Sequence, residues 1–476
     1  MRDVIGVRGG VKLLGIVAVL LVCLTAFSIT AKAQNPGNNA VYNANKTVVG
    51  SAAFIDASVF ASNANPNICA ILKNILNGTL LVNQGGYPAT GAVIDARGLN
   101  STNTSMTCTA SPWAGITNPP SATILLPATG ALPPNTSNPI VIPTKWILPP
   151  NTHLIGEGDG IPSGSSTPAT TIQAKNGFTD STMIEFGSSS VCPDPAKVCT
   201  GISVENLTLD GQGQSINGIT NGFSQDQTYV NHVSLYQIRG VGLLIEQGGP
   251  PGNATNSGPY SNVTFDTGSF QGTGGTVCAQ ILNAGSTHGI HGLSCAAETT
   301  DAPAAVLLDS SNNSIEDVRI VGFYDGISVG KNAPAQSNVL LNIIGDTGKG
   351  TGASPVRVVH IEPGNAVTDL SIMGLENMGG SGTYSLWDDV TGPQLSDPSV
   401  GIYALGDSAN GGYSRYTTSP NLPSWAVGSN SPSGACARGS LYSCTGGSSN
   451  CGGASAAALW ACAMNNTGTL QWVSVK

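Results

Sequence analysis

Asn206-Leu207-Thr208-Leu209-Asp210 is followed by His232-Val233-Ser234-Leu235-Tyr236 and then by Asn262-Val263-Thr264-Phe265-Asp266, and the three stretches match position by position. The second and fourth places are apolar in each, which gives a strand of period two an inward-facing pair. The first place holds Asn or His, residues suited to a bend. Gly292-Leu293-Ser294-Cys295-Ala296, Asp317-Val318-Arg319-Ile320-Val321, Asn338-Val339-Leu340-Leu341-Asn342 and Asp369-Leu370-Ser371-Ile372-Met373 continue the series at intervals of 21 to 31 residues. A second family of pairs lies between them, at Leu244-Ile245, Leu307-Leu308, Ser328-Val329 and His360-Ile361. Strands too short to fold alone, recurring at one long period, describe a parallel β-helix. A sandwich or jelly roll would space its strands at roughly 8 to 12 residues, with no column sustained at a longer period.

Composition agrees with an all-β chain. Of 476 residues only 9% are charged and 5% aromatic, while 62 are Gly and 29 Pro. Coiled coils, helical bundles and acidic disordered chains need far denser Glu, Lys and Arg. The polar surface therefore falls to Asn, Ser, Thr and Gly, which suit turns better than helix interiors. Net charge is −9 with no basic run, so nucleic acid is excluded as a natural partner. An acidic polymer would need local cations or bound Ca²⁺ to overcome the same charge.

Arg2, Arg8 and Lys12 precede an apolar run from Leu13 to Phe27, and Ala31-Lys32-Ala33 offers small residues where a signal peptidase reads. Residues 1–33 are expected to be a signal peptide. The run is shorter than the roughly 20 residues of a spanning helix, so the mature chain is expected outside the cytoplasm, secreted or at the cell surface, with no membrane span. Beyond Cys23, ten cysteines remain. An even number in an exported chain favours disulfides, and no spacing matches a zinc site. Cys192 with Cys199, Cys278 with Cys295, and Cys69 with Cys108 form local pairs. Cys436, Cys444, Cys451 and Cys462 are expected to pair among themselves, in an order the spacing leaves open.

Residues 34–64 read as a leader. Ile68, Ile71, Leu72, Ile75 and Leu76 lie at helical spacing, with Pro66 suited to the first turn and Asn77-Gly78 as the stop. So short a helix must cover something apolar, and the open end of a solenoid is such a surface. Residues 65–392 are assigned to the solenoid with this cap, 393–432 to a Ser/Gly/Pro-rich linker, and 433–476 to a cysteine-rich β module with strands near Gly439–Tyr442, Ala458–Trp460 and Leu470–Val475. That module serves either as an end cap or as a binding or trimerising element, which leaves monomer and homotrimer both open.

With these elements in place the chain resembles the right-handed parallel β-helix proteins of the pectate lyase superfamily, from about Asn67 to Gly380. The resemblance rests on Asn67-Ile68-Cys69-Ala70, Val93-Ile94-Asp95-Ala96-Arg97-Gly98, Thr123-Ile124-Leu125-Leu126-Pro127, the stretch from Trp146 to Gly158, and Val204-Glu205-Asn206-Leu207-Thr208-Leu209-Asp210-Gly211. It implies the fold and a polysaccharide partner. It does not choose among the lyases, hydrolases, epimerases and adhesins of that superfamily. The ordered motifs of its polygalacturonase-like members are missing: Asp388-Asp389 comes too late, and Ser286-Thr287-His288-Gly289 and Arg319-Ile320-Val321 are partial echoes.

Stacked rungs lie about 4.8 Å apart, so Asp210 and Asp266, two rungs apart with Tyr236 between, would hold carboxylates about 9 to 10 Å apart. That is near the upper end of the separation for an acid and a water-activating base in an inverting glycosidase. The alternative is that both only start turns. A lyase needs a base and a cation beside the sugar carboxylate, and Arg319, near Asp317 and Asp325, is the candidate cation; an ordinary surface ion pair is the alternative. Tyr236, His232, Asp317 and Asp325 are the candidate substrate-binding residues, and His288, His291 and Glu298 form a lesser cluster. The expected function is a secreted polysaccharide-binding β-helix acting as a lyase or glycoside hydrolase, and the alternative a non-catalytic adhesin or structural solenoid. No cofactor is expected, apart from Ca²⁺ in the case of a lyase.

Overall fold

The computed structural model describes residues 54–62, 66–84, 91–129, 138–160, 170–192, 198–246, 258–268, 276–283, 287–297, 302–346, 356–378, 383–389, 394–395, 399–405, 425–428, 432, 436, 440–444, 459–465 and 469–475; the expected signal segment, Glu298 and Cys451 lie outside them. Two long sheets share these strands. The first has 14 strands and runs from Phe54–Asp56 through Ala92–Asp95, Ala122–Leu125, Thr152–Ile155, Ser203–Gln214, Tyr229–Ile238, Tyr260–Asp266, Ile290–Ala296, Ser314–Val321 and Val339–Asp346 to Leu370–Asn377 and Ser399–Leu405. The second has 10 and runs from Trp146–Leu148 through Thr182–Phe186, Asn217–Asn221, Val241–Glu246, Val277–Leu282, Ala304–Asp309, Asp325–Val329 and Val356–Ile361 to Thr383–Asp388 and Gln394–Leu395. From Ser203 to Asp388 the chain visits the two sheets in turn and pairs parallel with the rung before. This is a parallel β-helix.

The bend residues explain how one strand presents three inward columns. Asn206, His232, Asn262, Asp317 and Asn342 all have φ between 52° and 55°, and Gly292 has φ 68°. Such a left-handed residue reverses the alternation, so the side chains two before, one after and three after it all point inward. In the rung of Asn206 these are Val204, Leu207 and Leu209; in that of Asp317 they are Ile315, Val318 and Ile320, and all six are buried. Left-handed backbone costs an L-residue roughly 1–2 kcal/mol, least for Asn, Asp and Gly, which is why the column is built from them.

Two of the expected repeats slip. Glu316 pairs with Leu341 and Val318 with Ile343, so the partner of Asp317 is Asn342, not Asn338. In the next rung Leu341 pairs with Met373 and Ile343 with Leu375, which puts Gly374, at φ 69°, in the bend column instead of Asp369. Apolar alternation on both sides of the bend made the two halves of the strand interchangeable by pattern alone.

The opening helix spans Ile68–Leu76, with Asn67 as its N-cap accepting a hydrogen bond from Ala70 N at 2.9 Å. Its apolar side chains are buried in the same continuous core as the rungs. Phe54–Asp56, assigned to the leader, is instead the terminal strand of the first sheet, paired with Val93–Asp95. The assigned linker also holds strands. Ser399–Leu405 pairs antiparallel with Leu370–Glu376, closing an edge that would otherwise offer free backbone groups, and Trp425–Gly428 pairs with Leu441–Cys444. The C-terminal sheet therefore has four strands, with Leu459–Met464 and Leu470–Val475 completing it.

Disulfides join Cys69 to Cys108, Cys192 to Cys199, Cys278 to Cys295 and Cys436 to Cys462. Cys278 and Cys295, both buried, tie a strand of the second sheet to one of the first. Cys444 is also disulfide-bonded. Such bonds accord with an oxidising compartment. Among the described residues no helix is long and apolar enough to cross a membrane.

Candidate functional site

The expected pair on the first sheet is in register but not free. Asp210 pairs with Tyr236, and Tyr236 with Asp266, as the stacking implied. Asp210, however, is 5% exposed, and its carboxylate accepts from Gln173 Nε2 at 2.9 Å and from Gln212 N at 2.9 Å. Asp266 accepts from Gly268 N at 2.7 Å, an Asx turn. Tyr236 lies against the Gly268 backbone, and its hydroxyl accepts from Gln237 Nε2 at 3.1 Å. Asp210 and Asp266 therefore both make turn contacts, the alternative role that the sequence offered for them.

Arg319 is exposed and forms no ion pair with Asp317 or Asp325 among the described residues. Asp317, in the bend column, accepts from Asn342 Nδ2 at 2.6 Å, and His232 is an exposed bend residue. His291 faces Glu316 at 3.3 Å, and its Nε2 lies 3.0 Å from the carbonyl of His288. Even the outward column is partly covered: Thr208 and Ser234 are buried, the one hydrogen-bonded to Gly160 and the other to Asp159. These residues do not converge.

Asp325 belongs elsewhere. It opens a strand of the second sheet and pairs with Arg357, which pairs with Tyr384; one column over, Ser328 pairs with His360 and His360 with Trp387. Between Asp325 and Ser328 lies Gly326, where a Cβ would sit 2.4 Å from the Val358 carbonyl. Just beyond the strand ends, Glu362 N donates to Val329 O at 3.0 Å and Asp389 N to Ile361 O at 3.1 Å, so both carboxylates follow the same rungs.

The result is one network. Arg357 grips Asp325 with both arms of its fork, Nε to Oδ1 at 2.6 Å and Nη2 to Oδ2 at 3.0 Å. The His360 ring lies between carboxylates: Nδ1 is 3.0 Å from Asp325 Oδ2 and 3.3 Å from Glu362 Oε1, and Nε2 is 2.9 Å from Asp389 Oδ2. Ser328 Oγ donates to Glu362 at 2.7 Å, Lys331 approaches it at 3.9 Å, and Trp387 Nε1 donates to Asp389 at 2.7 Å. Arg357 also lies over the Trp387 ring, 5.8 Å from its centre, and Tyr384 meets that ring edge-on at 4.6 Å.

Protonation follows from this geometry. Burial disfavours charge on His360, but hydrogen bonds to Asp325, Glu362 and Asp389 outweigh it and push the imidazole pKa up to about 9. Burial likewise opposes ionisation of Glu362, yet His360, Ser328 and Lys331 bring its pKa down to about 2. Asp389 is lowered as well: burial works against its charge, and the bonds from His360 and Trp387 prevail. Three carboxylates then face three cations. With both ring nitrogens carrying hydrogens, Arg357 Nη1, 3.3 Å from His360 Nε2, is left to donate elsewhere.

Asp325, His360 and Glu362 bring their ligand atoms within 4.8 Å of one another. They suit a proton better than a metal, because Arg357 already occupies both Asp325 oxygens and Ca²⁺ asks for six to eight oxygen ligands. Towards solvent the site offers Asp389 as acceptor, with its side chain 36% exposed, and the two aromatic rings, while the imidazolium lies behind them, 5% exposed, with both N–H groups held by carboxylates. Moving back along the sheet from this margin, the Asp325 column continues in buried Ala304 and Val277, while in the Ser328 column polar Gln280 stands between buried Leu307 and Leu244.

Sequence reasoning found Asp325 here and missed Arg357, His360, Glu362, Trp387 and Asp389. The available signal was density of charge: in a chain with 9% charged residues, Arg357, His360 and Glu362 crowd into one strand and its end.

No protein-family model matches the chain, and no curated protein matches it. Among solved structures it is similar to the A-modules of the mannuronan C-5 epimerases AlgE4 and AlgE6 of Azotobacter vinelandii, each at 14% identity. These alignments cover 57% and 58% of this chain and 84% and 83% of theirs, with TM-scores of 0.29 and 0.28. ORF18 of Geobacillus virus E2 aligns over 89% of this chain and 86% of its own at 11% identity, TM-score 0.36. Superpositions this loose carry no argument about activity.

Proposed function

We propose that this is a secreted, carbohydrate-active β-helix protein of the pectate lyase type, which binds an extended polysaccharide across the margin of its second sheet at Trp387, Tyr384, Arg357, His360 and Asp389. The observation that carries this reading is the aromatic pair Tyr384 and Trp387 set beside an exposed carboxylate and a guanidinium whose Nη1 has no acceptor among the described residues. Aromatic faces stack on sugar rings, and Asp389 and Arg357 supply an acceptor and a donor for hydroxyl or carboxylate groups. Asp389, held ionised by His360 behind it, is the group at this margin that a lyase or hydrolase would use as proton acceptor. The non-catalytic adhesin is the second reading, favoured by the locking of His360 between three carboxylates.

A panel of neutral and acidic plant and bacterial polysaccharides tests both. Binding should be saturable for at least one member and weakened tenfold or more, about 1.4 kcal/mol, by Trp387→Ala. Reducing ends or the absorbance of unsaturated products, lost in His360→Gln, would mark an enzyme; binding without either would mark an adhesin. A panel with no binder removes the proposal.

A further inference from the structure

We propose that His153, Ser203, Glu205 and Tyr229, on the outer face of the first sheet, form a second ligand site that takes a non-acidic saccharide. It stands on the opposite sheet from the Trp387 site and depends on none of its residues.

The four side chains come from three successive rungs. His153 pairs with Ser203, and Ser203 with Tyr229. They are joined by short hydrogen bonds: Ser203 Oγ donates to Glu205 Oε1 at 2.8 Å, Tyr229 donates to the same oxygen at 2.8 Å, and His153 Nδ1 lies 2.8 Å from Ser203 Oγ. Because the single hydroxyl hydrogen of Ser203 goes to Glu205, the His153 ring donates from Nδ1. Two polar atoms remain without a partner among the described residues, Glu205 Oε2 and His153 Nε2. Burial first and the bond to Glu205 second hold the Tyr229 phenol above its usual pKa, so it stays a donor.

Two features point to the ligand. Glu205 forms no ion pair with a cation among the described residues, which is unusual for a half-buried carboxylate in a site made for anions. The site is also the end of a longer track: Glu205 pairs with Asn231, Asn231 with Ser261, Ser261 with His291 and His291 with Glu316. All five are half-exposed, none is Lys or Arg, and Ile155 and Leu341 close the track at its two ends. A run of hydroxyl, amide and carboxylate groups on rungs about 4.8 Å apart, with the His291 ring among them held by Glu316 and the His288 carbonyl, offers hydrogen-bonding positions to a chain of hydroxyl-bearing rings lying along the axis. An acidic polymer would instead meet a carboxylate at each end, on a chain of net charge −9.

The chain has five histidines, so the ¹H–¹³C spectrum of histidine-labelled full-length protein is small enough to assign by substitution. Titration with xylo-, cello- and chito-oligosaccharides and with oligogalacturonate should move the His153 signal with at least one non-acidic probe, and that probe should leave His360 in place. Tyr229→Phe and Glu205→Gln, which keep the shape of the site, should each raise the dissociation constant for that probe at least tenfold, while Trp387→Ala leaves it unchanged. A His153 signal indifferent to every non-acidic probe, binding untouched by both substitutions, or a His153 shift with oligogalacturonate alone would overturn the proposal. If Trp387→Ala fails to affect any polysaccharide, the Trp387 reading falls and this one stands.

Discussion

On the first sheet Asn206, His232, Asn262, Gly292, Asp317 and Asn342 stand level and share one backbone conformation; on the second, Ala304, Asp325, Arg357 and Tyr384 stand level and no two share a chemistry. The first column repeats because every rung must turn the same corner. The second does not, because nothing about stacking demands an arginine beneath a tyrosine. A solenoid thus separates the two kinds of constraint: recurrence marks what the coil needs, and a break in recurrence on a partly exposed face marks what the coil does not need.

Substitution at each column sharpens this contrast. Asp325→Ala should have the largest effect, because it leaves the Arg357 fork and the His360 ring, 5% exposed, without their shared partner. Loss of one partner of a buried pair costs about 3–5 kcal/mol. Urea unfolding would read it, and a loss under 1 kcal/mol would show that the network is not cooperative.

Next comes the pH dependence. His360 is held at about 9 against an ordinary 6.5, so its contribution to stability is complete below pH 6.5 and disappears as pH rises through 9. Glu362, at about 2 against an ordinary 4.5, contributes fully above pH 4.5 and loses that contribution as pH falls towards 2. The two shifts share the His360–Glu362 contact, so their contributions are not additive. Denaturation midpoints should form a plateau between pH 4.5 and 6.5 and decline towards pH 9, and His360→Gln should flatten the alkaline decline. An unchanged alkaline limb in that variant would assign the loss to other groups.

The smallest effect belongs to the repeating column. Asn206→Ala should cost about 1 kcal/mol, since alanine tolerates φ 54° less well than asparagine, while Asn206→Gly should stay within about 0.5 kcal/mol. Equal costs for both would mean that the asparagine side chain, not its backbone freedom, is what the column selects.

The same contrast sets what the sequence reveals. The rungs from Asn206 to Asp317, the opening helix and the local disulfides are legible because each rests on short-range spacing. The slip at Asn338 arose where both halves of a strand carry apolar alternation, so that only hydrogen-bond register tells Asn342 from Asn338. Asp210 looked like an open carboxylate because Gln173, which covers it, comes from a neighbouring strand outside the repeat pattern. The His360 network was hidden for a related reason. Its members lie between Asp325 and Asp389, and only the stacking of three rungs brings them within hydrogen-bonding distance.

We propose that ligand meets the second sheet at Trp387. Tryptophan emission, recorded during titration with each member of the polysaccharide panel for the native protein and for Trp387→Phe, tests it most directly. A saturable change is expected in the native protein with at least one polysaccharide, and it should disappear once Trp387 is replaced. A full-sized change retained in Trp387→Phe would contradict it and place the ligand elsewhere on the coil.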